Sequence, residues 1–260
     1  ASATTGTLTF ASTATSASAV GSYAITGSGL TANSGNYVFA QHANNATALS
    51  VTALPVVMSG TRAYDGTTAA AASILTVSNP VGSDVVTVAS GSGTLASAAV
   101  GSRAITSVGT LALGGAAAAN YTVAGGSGSV TITAGTLTYV ADAKTRVYGA
   151  GNPALTGTVT GFVNSETQAS ATTGTLTFAS TATSASSVGS YAITGSGLTA
   201  NNGNYVLAQH ANNASALSVT ALPVVMSGTR VYDGTTAAAA SILTVSNRVG
   251  SDPVSPSGTG

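Results

Sequence analysis

TRVYDGTTAAAASILTVSN, residues 229–247, is TRAYDGTTAAAASILTVSN, residues 61–79, written a second time 168 positions later. Carried backwards, this register lays Ala1 on Ala169; carried forwards, it lays Asp84 on Asp252. Over those 84 pairs six differ: Ala19/Ser187, Ser34/Asn202, Phe39/Leu207, Thr47/Ser215, Ala63/Val231 and Pro80/Arg248. Self-similarity at a fixed period is the mark of an array of structural units. Because the first residues match the middle of the later copy, the chain is expected to be a window on a longer array that opens inside a unit.

Composition narrows what such an array can do. Only 5% of residues are charged, six basic against six acidic, with a pI near 7.0. That balance offers no electrostatic footprint for phosphate backbones or anionic lipid, so nucleic acid is not an expected partner. Mean hydropathy is +0.39, yet the apolar residues are mostly Ala and Val scattered among Thr, Ser and Gly. No run approaches the roughly 18 apolar residues of a membrane helix, and no membrane insertion is expected. Cysteine is absent, so neither disulfides nor thiolate metal sites can form. A long chain that must cross a membrane unfolded also benefits from that absence.

In residues 1–54 every apolar period is two. In TLTF (Thr7 to Phe10) Leu8 and Phe10 share a face; in SYAIT (Ser22 to Thr26) Tyr23 and Ile25 do; in ALSVT (Ala48 to Thr52) Leu49 and Val51 do. Gly21, Gly27, Gly29 and Ser34 to Asn36 punctuate them. From Pro55 to Ala134 short strands are expected at Val56–Met58, Ile74–Val77, Val85–Val88, Ala104–Thr106, Thr110–Leu113, Tyr121–Val123 and Val130–Thr133. The runs Ala69–Ala72 and Ala116–Ala119 lack caps and a helical stripe, and read as strand edges or loops. Turn signals roughly 8 to 12 residues apart indicate a sandwich or barrel. The two kinds of unit are distant cousins: VGSRAIT at Val100 answers VGSYAIT at Val188, NYTV at Asn120 answers NYVL at Asn204, and TRVYG at Thr145 answers TRVYD at Thr229.

At TRVYDGTT in one unit and TRVYGAGNPALTGTVTGF with VGSYAITGSGLTANNGNY in the other, the sequence resembles two paired module families, the YDG domain and the MBG (mostly bacterial Ig-like) domain. These recur in long secreted bacterial adhesins of the filamentous-haemagglutinin, two-partner-secretion type. The resemblance implies an Ig-like fold, a stalk or spacer role in a secreted or cell-surface protein, and no catalytic residues. The expected fold class is therefore all-β: tandem Ig-like β-sandwich modules in an elongated array, with a parallel β-solenoid as the alternative. The expected domains are a partial MBG-type module at 1–54, a YDG-type module at 55–134, an MBG-type module at 135–222 and a partial YDG-type module at 223–260. Expected partners are neighbouring modules of the same chain, with a host glycan or matrix protein bound by the loops as the second reading.

Tyr64-Asp65-Gly66 and Tyr232-Asp233-Gly234 invite a cation-loop reading, but one carboxylate per loop falls short of the about six to eight oxygens that calcium takes. Asp-Gly is turn chemistry first, and Tyr148-Gly149 stands at the same place in the other unit. These eight residues are expected to be structural turns; no catalytic, metal or cofactor-binding residue is expected. His42 and His210 are one position in two copies, flanked by amides rather than carboxylates, and read as exposed loop residues. Lys144, near Asp142 and Arg146, with Glu166 in the same unit, raises an isopeptide crosslink against the plainer reading of a solvated edge-strand charge. Asn45, Asn120 and Asn213 head glycosylation sequons.

Overall fold

A computed structural model describes residues 3–258. Residues 1–2 of the first outer module and 259–260 of the last lie outside the described residues. The chain divides into two compact units, Ala1–Thr133 and Ala134–Gly260.

The first unit begins with β1 (Thr4–Ser12), β2 (Gly21–Tyr23), β3 (Ile25–Ala32) and β4 (Leu49–Val51). It continues with β5 (Leu54–Ala63), β6 (Ala69–Ala71), β7 (Leu75–Val77) and β8 (Thr87–Ser90), and ends with β9 (Ser92–Leu95), β10 (Gly101–Ser107), β11 (Ala112–Gly114) and β12 (Tyr121–Thr133). The second unit opens with β13 (Gly135–Ala141), β14 (Lys144–Val147), β15 (Gly157–Thr160) and the short helix α1 (Gln168–Ala171). β16 (Thr172–Ala179), β17 (Gly189–Tyr191), β18 (Thr194–Ala200), β19 (Tyr205–Gln209) and β20 (Leu217–Thr220) follow, then β21 (Met226–Gly228) and β22 (Leu243–Val245). The protein is nearly all β, in many small sheets, as Ig-like sandwich modules require. Among the described residues parallel pairing joins only β5 to β12, β13 to β19 and β14 to β20. A solenoid would pair successive strands in parallel, and no such coil forms.

In the first unit β5 alternates strictly: Val56 and Met58 are buried and Val57 faces out, the pattern a pleated strand with one covered face must show. Val130 and Ile132 of β12 meet them in the same core. Two strands expected at Tyr121–Val123 and Val130–Thr133 are one continuous strand, because the glycines between them make a bulge rather than a turn. The register slips between Thr122 and Ser127, and Gly128 takes φ +140° where a Cβ would lie 1.9 Å from the Met58 carbonyl oxygen. Gly128→Ala should therefore cost the first unit more than about 1 kcal/mol, measurable by urea unfolding. The strand expected at Val85–Val88 sits at Thr87–Ser90 instead, and β9 escaped notice because Gly93 supplies one of its inward positions. Ala69–Ala71 pairs with β9, whereas Ala118 and Ala119 enter a 3₁₀ turn.

In the second unit Leu137 and Tyr139 of β13 are buried, and Ile193, Leu217, Ala182 and Ala216 form a core cluster against which Ala141, Leu155, Phe178 and Tyr191 pack. Sheet order is β15-β13-β19 and β14-β20-β17, with β16 and β18 forming a separate hairpin. The kinship between the two module types extends to register. Arg62 of β5 opposes Ile132, which opposes Gly101; Arg146 of β14 opposes Val219, which opposes Gly189.

The repeated segments form two contrasting environments from one sequence. β1 and β3 pair Thr4 to Ala32, and β16 and β18 pair Thr172 to Ala200, with the same slip after Gly6 and Gly174. Residues 37–41, in contrast, form no strand where their later copy is β19. Tyr37 is 63% exposed against 5% for Tyr205, and Tyr64 is 7% exposed against 93% for Tyr232.

Candidate functional site

The Tyr-Asp-Gly turn is built at the end of β5. The amide of Tyr64 donates to the Thr133 carbonyl (2.8 Å), which carries the pairing one step past Ala63 and buries the ring. The chain then reverses through Gly66 at φ +74°, a conformation that residues with a Cβ adopt only at a cost. Asp65 Oδ1 accepts from the Thr67 amide (2.8 Å) and the Thr67 hydroxyl (2.9 Å). The Arg62 guanidinium, its side chain nine-tenths buried, ion-pairs with Asp65 and donates to the Thr67 carbonyl. The single carboxylate of this loop is thus engaged by its own backbone and by arginine.

Burial alone raises the Asp65 carboxyl, but Arg62 and the two Thr67 donors outweigh it and hold the group below its ordinary value. A carboxyl lowered on folding contributes stability above the unfolded value, near ~3.9, and loses it as pH falls through the folded one. The Thr67 amide resonance is accordingly expected to shift through an acid transition below about pH 4, and Asp65→Asn should abolish that transition.

The later copy keeps the loop without the core. Asp233 Oδ1 accepts from the Thr235 amide (3.0 Å) and hydroxyl (2.9 Å), Gly234 has φ +75°, and Arg230 pairs with Asp233 at 3.2 Å, yet Tyr232 is exposed. At the third site Gly149, φ +85°, stands where the others carry aspartate. Arg146, buried, donates instead through Nε to Asn152 Oδ1 (2.8 Å) and through its terminal nitrogens to the carbonyls of Val147 and Thr183. Asn152 in turn donates to the Ala182 carbonyl (2.7 Å), so one arginine ties β14 to the loop after β16. The Tyr148 hydroxyl bonds Asp252, and that bond with burial raises it above an ordinary phenol.

These arginines escaped the sequence reading, which stopped at Asp-Gly. The signal was present: Thr-Arg precedes all three tyrosines, and Arg62, Arg146 and Arg230 are three of the chain's six basic residues.

The remaining residues singled out have local duties. His42 and His210 are exposed and cap 3₁₀ turns, Nδ1 accepting from Asn44 and Asn212 respectively, each at 3.2 Å. Lys144 lies 3.9 Å from Asp142 on edge strand β14, while Glu166 accepts from the Tyr205 hydroxyl. Asn213 is 3% exposed; its Nδ2 donates to the Tyr139 carbonyl (2.9 Å) and its Oδ1 accepts from the Ala141 amide (2.9 Å). A glycan on that nitrogen is incompatible with the folded module. Asn120 Oδ1 accepts from the Val20 amide (3.0 Å).

The first unit also carries a groove of about 440 Å³ beside β12, lined in part by Ser16, Val20, Leu54, Asp84 and Tyr121. Its one carboxylate, Asp84, already accepts from the Tyr121 hydroxyl (2.8 Å), whose oxygen accepts from the Val81 amide (2.6 Å). Among the described residues no cluster of three or more His, Asp or Glu side chains could hold a metal, and no helix is long and apolar enough to cross a membrane.

No curated protein and no solved structure matches the chain. Two domain families do: residues 45–129 match the YDG domain, and residues 137–215 match the MBG domain (YGX type).

Proposed function

We propose that this chain is non-enzymatic and forms part of the stalk of a large secreted surface protein, holding an adhesive part away from the cell. The observation behind this reading is the 168-residue repeat in which two different β modules alternate. Near-identical neighbours in a tandem array exchange strands during folding, and alternation puts a divergent module between them. At roughly 3.3 Å per strand residue, a module with strands of about 7 to 10 residues adds about 25 to 35 Å of reach. Buried arginines that bond backbone carbonyls supply internal ties of the kind a load-transmitting spacer needs.

The test is replacement rather than deletion alone. Removing one 168-residue repeat from the parent protein should weaken adhesion, and an unrelated β-module spacer of equal length should restore it. Failure of the spacer to restore adhesion would overturn the stalk reading and favour loops that themselves contact a host glycan or matrix protein.

A further inference from the structure

We propose that the Tyr148-Gly149 turn of the MBG-type module is a joint: it is received by the turn at residues 249–252 of the YDG-type segment that follows in the chain, and this second point of attachment fixes the angle between the two. The inference goes beyond the stalk reading and stands without it.

The covalent link from β20 to that segment is Ala221-Leu222, and a single linker leaves neighbouring modules free to turn against each other. The Tyr148-Gly149 turn adds a link of a different kind. Its own module holds it firmly: the Tyr148 amide donates to the Thr220 carbonyl (2.8 Å), the Gly149 amide donates to the Ser184 carbonyl (3.2 Å), and Arg146 just before it donates to the Thr183 carbonyl. From this fixed base the Tyr148 hydroxyl reaches Asp252. Gly149 lies so close to Val249 that a Cβ would come within 2.3 Å of that side chain. A bond to a charged acceptor beside an apolar contact gives the joint both direction and closeness.

The receiving turn has one conformation in both copies of its sequence. The Asp252 amide donates to the Val249 carbonyl (3.1 Å) with Gly250 at φ +52°, as the Asp84 amide donates to the Val81 carbonyl (3.0 Å) with Gly82 at φ +57°. Asn247 ties the turn to the start of its segment, Oδ1 accepting from the Val225 amide and Nδ2 donating to the Pro223 carbonyl, both at 2.7 Å. Asn79 bonds Val57 and Pro55 in the same way, at 2.7 and 3.0 Å. Grooves at the two junctions share three lining positions, Val20, Leu54 and Asp84 in one and Val188, Leu222 and Asp252 in the other. The approach of the two module types is therefore set by residues that both junctions contain. In the first copy Asp84 also accepts from the Tyr121 hydroxyl through Oδ2 (2.8 Å). A carboxylate has acceptor sites for two phenols, so a bond inside the module and a bond across the joint do not compete.

Residual dipolar couplings and amide exchange of the intact 260-residue chain test the joint. In the unaltered chain one alignment should fit residues 135–220 and 223–252 together. Tyr148→Phe removes only the hydroxyl, and should give the two parts separate alignments. Amide exchange in β21 and β22 should then quicken by about tenfold, the worth of one bond to a charged acceptor, while β13 to β20 keep their protection. Asp252→Ala should do the same, and the two changes together should do no more than either alone. Asp84→Ala, the matching change in the first copy, should leave residues 223–252 as they are. The proposal fails if Tyr148→Phe leaves the common alignment in place, if it loosens β13 to β20 as much as β21 and β22, or if the effects of the two changes add. Should Asp252→Ala unfold residues 223–260, Tyr148→Phe still decides the matter.

Discussion

Tyr139→Ala is expected to destabilise the unit Ala134–Gly260 by about 3–5 kcal/mol, the cost of emptying a buried aromatic site. The ring is 5% exposed, packs on Phe178 and Gly195, and holds the Leu198 amide, so its loss opens a cavity and leaves a donor without its partner. Surrounding strands cannot close the space, because Gly195 has no side chain to move into it. Urea unfolding read by amide exchange would show the effect in residues 135–220, with the unit Ala1–Thr133 as an unperturbed internal reference. A loss below about 1 kcal/mol would mean that β13 is held by its backbone pairing rather than by this anchor.

Arg146→Met should cost about 2–3 kcal/mol, whereas Arg230→Met should change stability by no more than about 0.5 kcal/mol. The two arginines occupy the same Thr-Arg-Val-Tyr context, but Arg146 is 6% exposed and Arg230 lies on an open face. Methionine keeps most of the buried volume, so the difference isolates the polar contacts. In the buried case Asn152 Oδ1 and the Thr183 carbonyl lose a charged donor, while in the exposed case water replaces it. Equal effects at the two sites would show that burial plays no part in the clamp. The comparison is made within one chain, which removes differences in the unfolded reference as far as any pair of variants can.

The alternation of apolar residues was enough to establish an all-β chain, and the Gly-rich punctuation located most strand ends. It misled where glycine serves close approach instead of reversal, as at Gly125 to Gly128 inside β12, since a bulge and a turn draw on the same residue. The candidate turns were legible because their bonds run between residues two or three apart, such as Asp65 to Thr67. The arginines behind them were not, because a charge on a strand announces nothing about the depth at which that strand will lie.

The repeat separates the two kinds of information. By itself the sequence determined the hairpin register, the Asp-Gly turns and the histidine caps, all of which recur unchanged in copies with and without a complete core. Tertiary structure alone decided which tyrosines are buried, whether residues 37–41 or 205–209 form a strand, and whether an arginine is a clamp or a surface charge. Hydrogen bonds within a few residues close on themselves wherever the chain is placed. Burial depends on a partner strand distant in sequence, so identical residues have different surroundings when that partner is present in one copy and missing from the other.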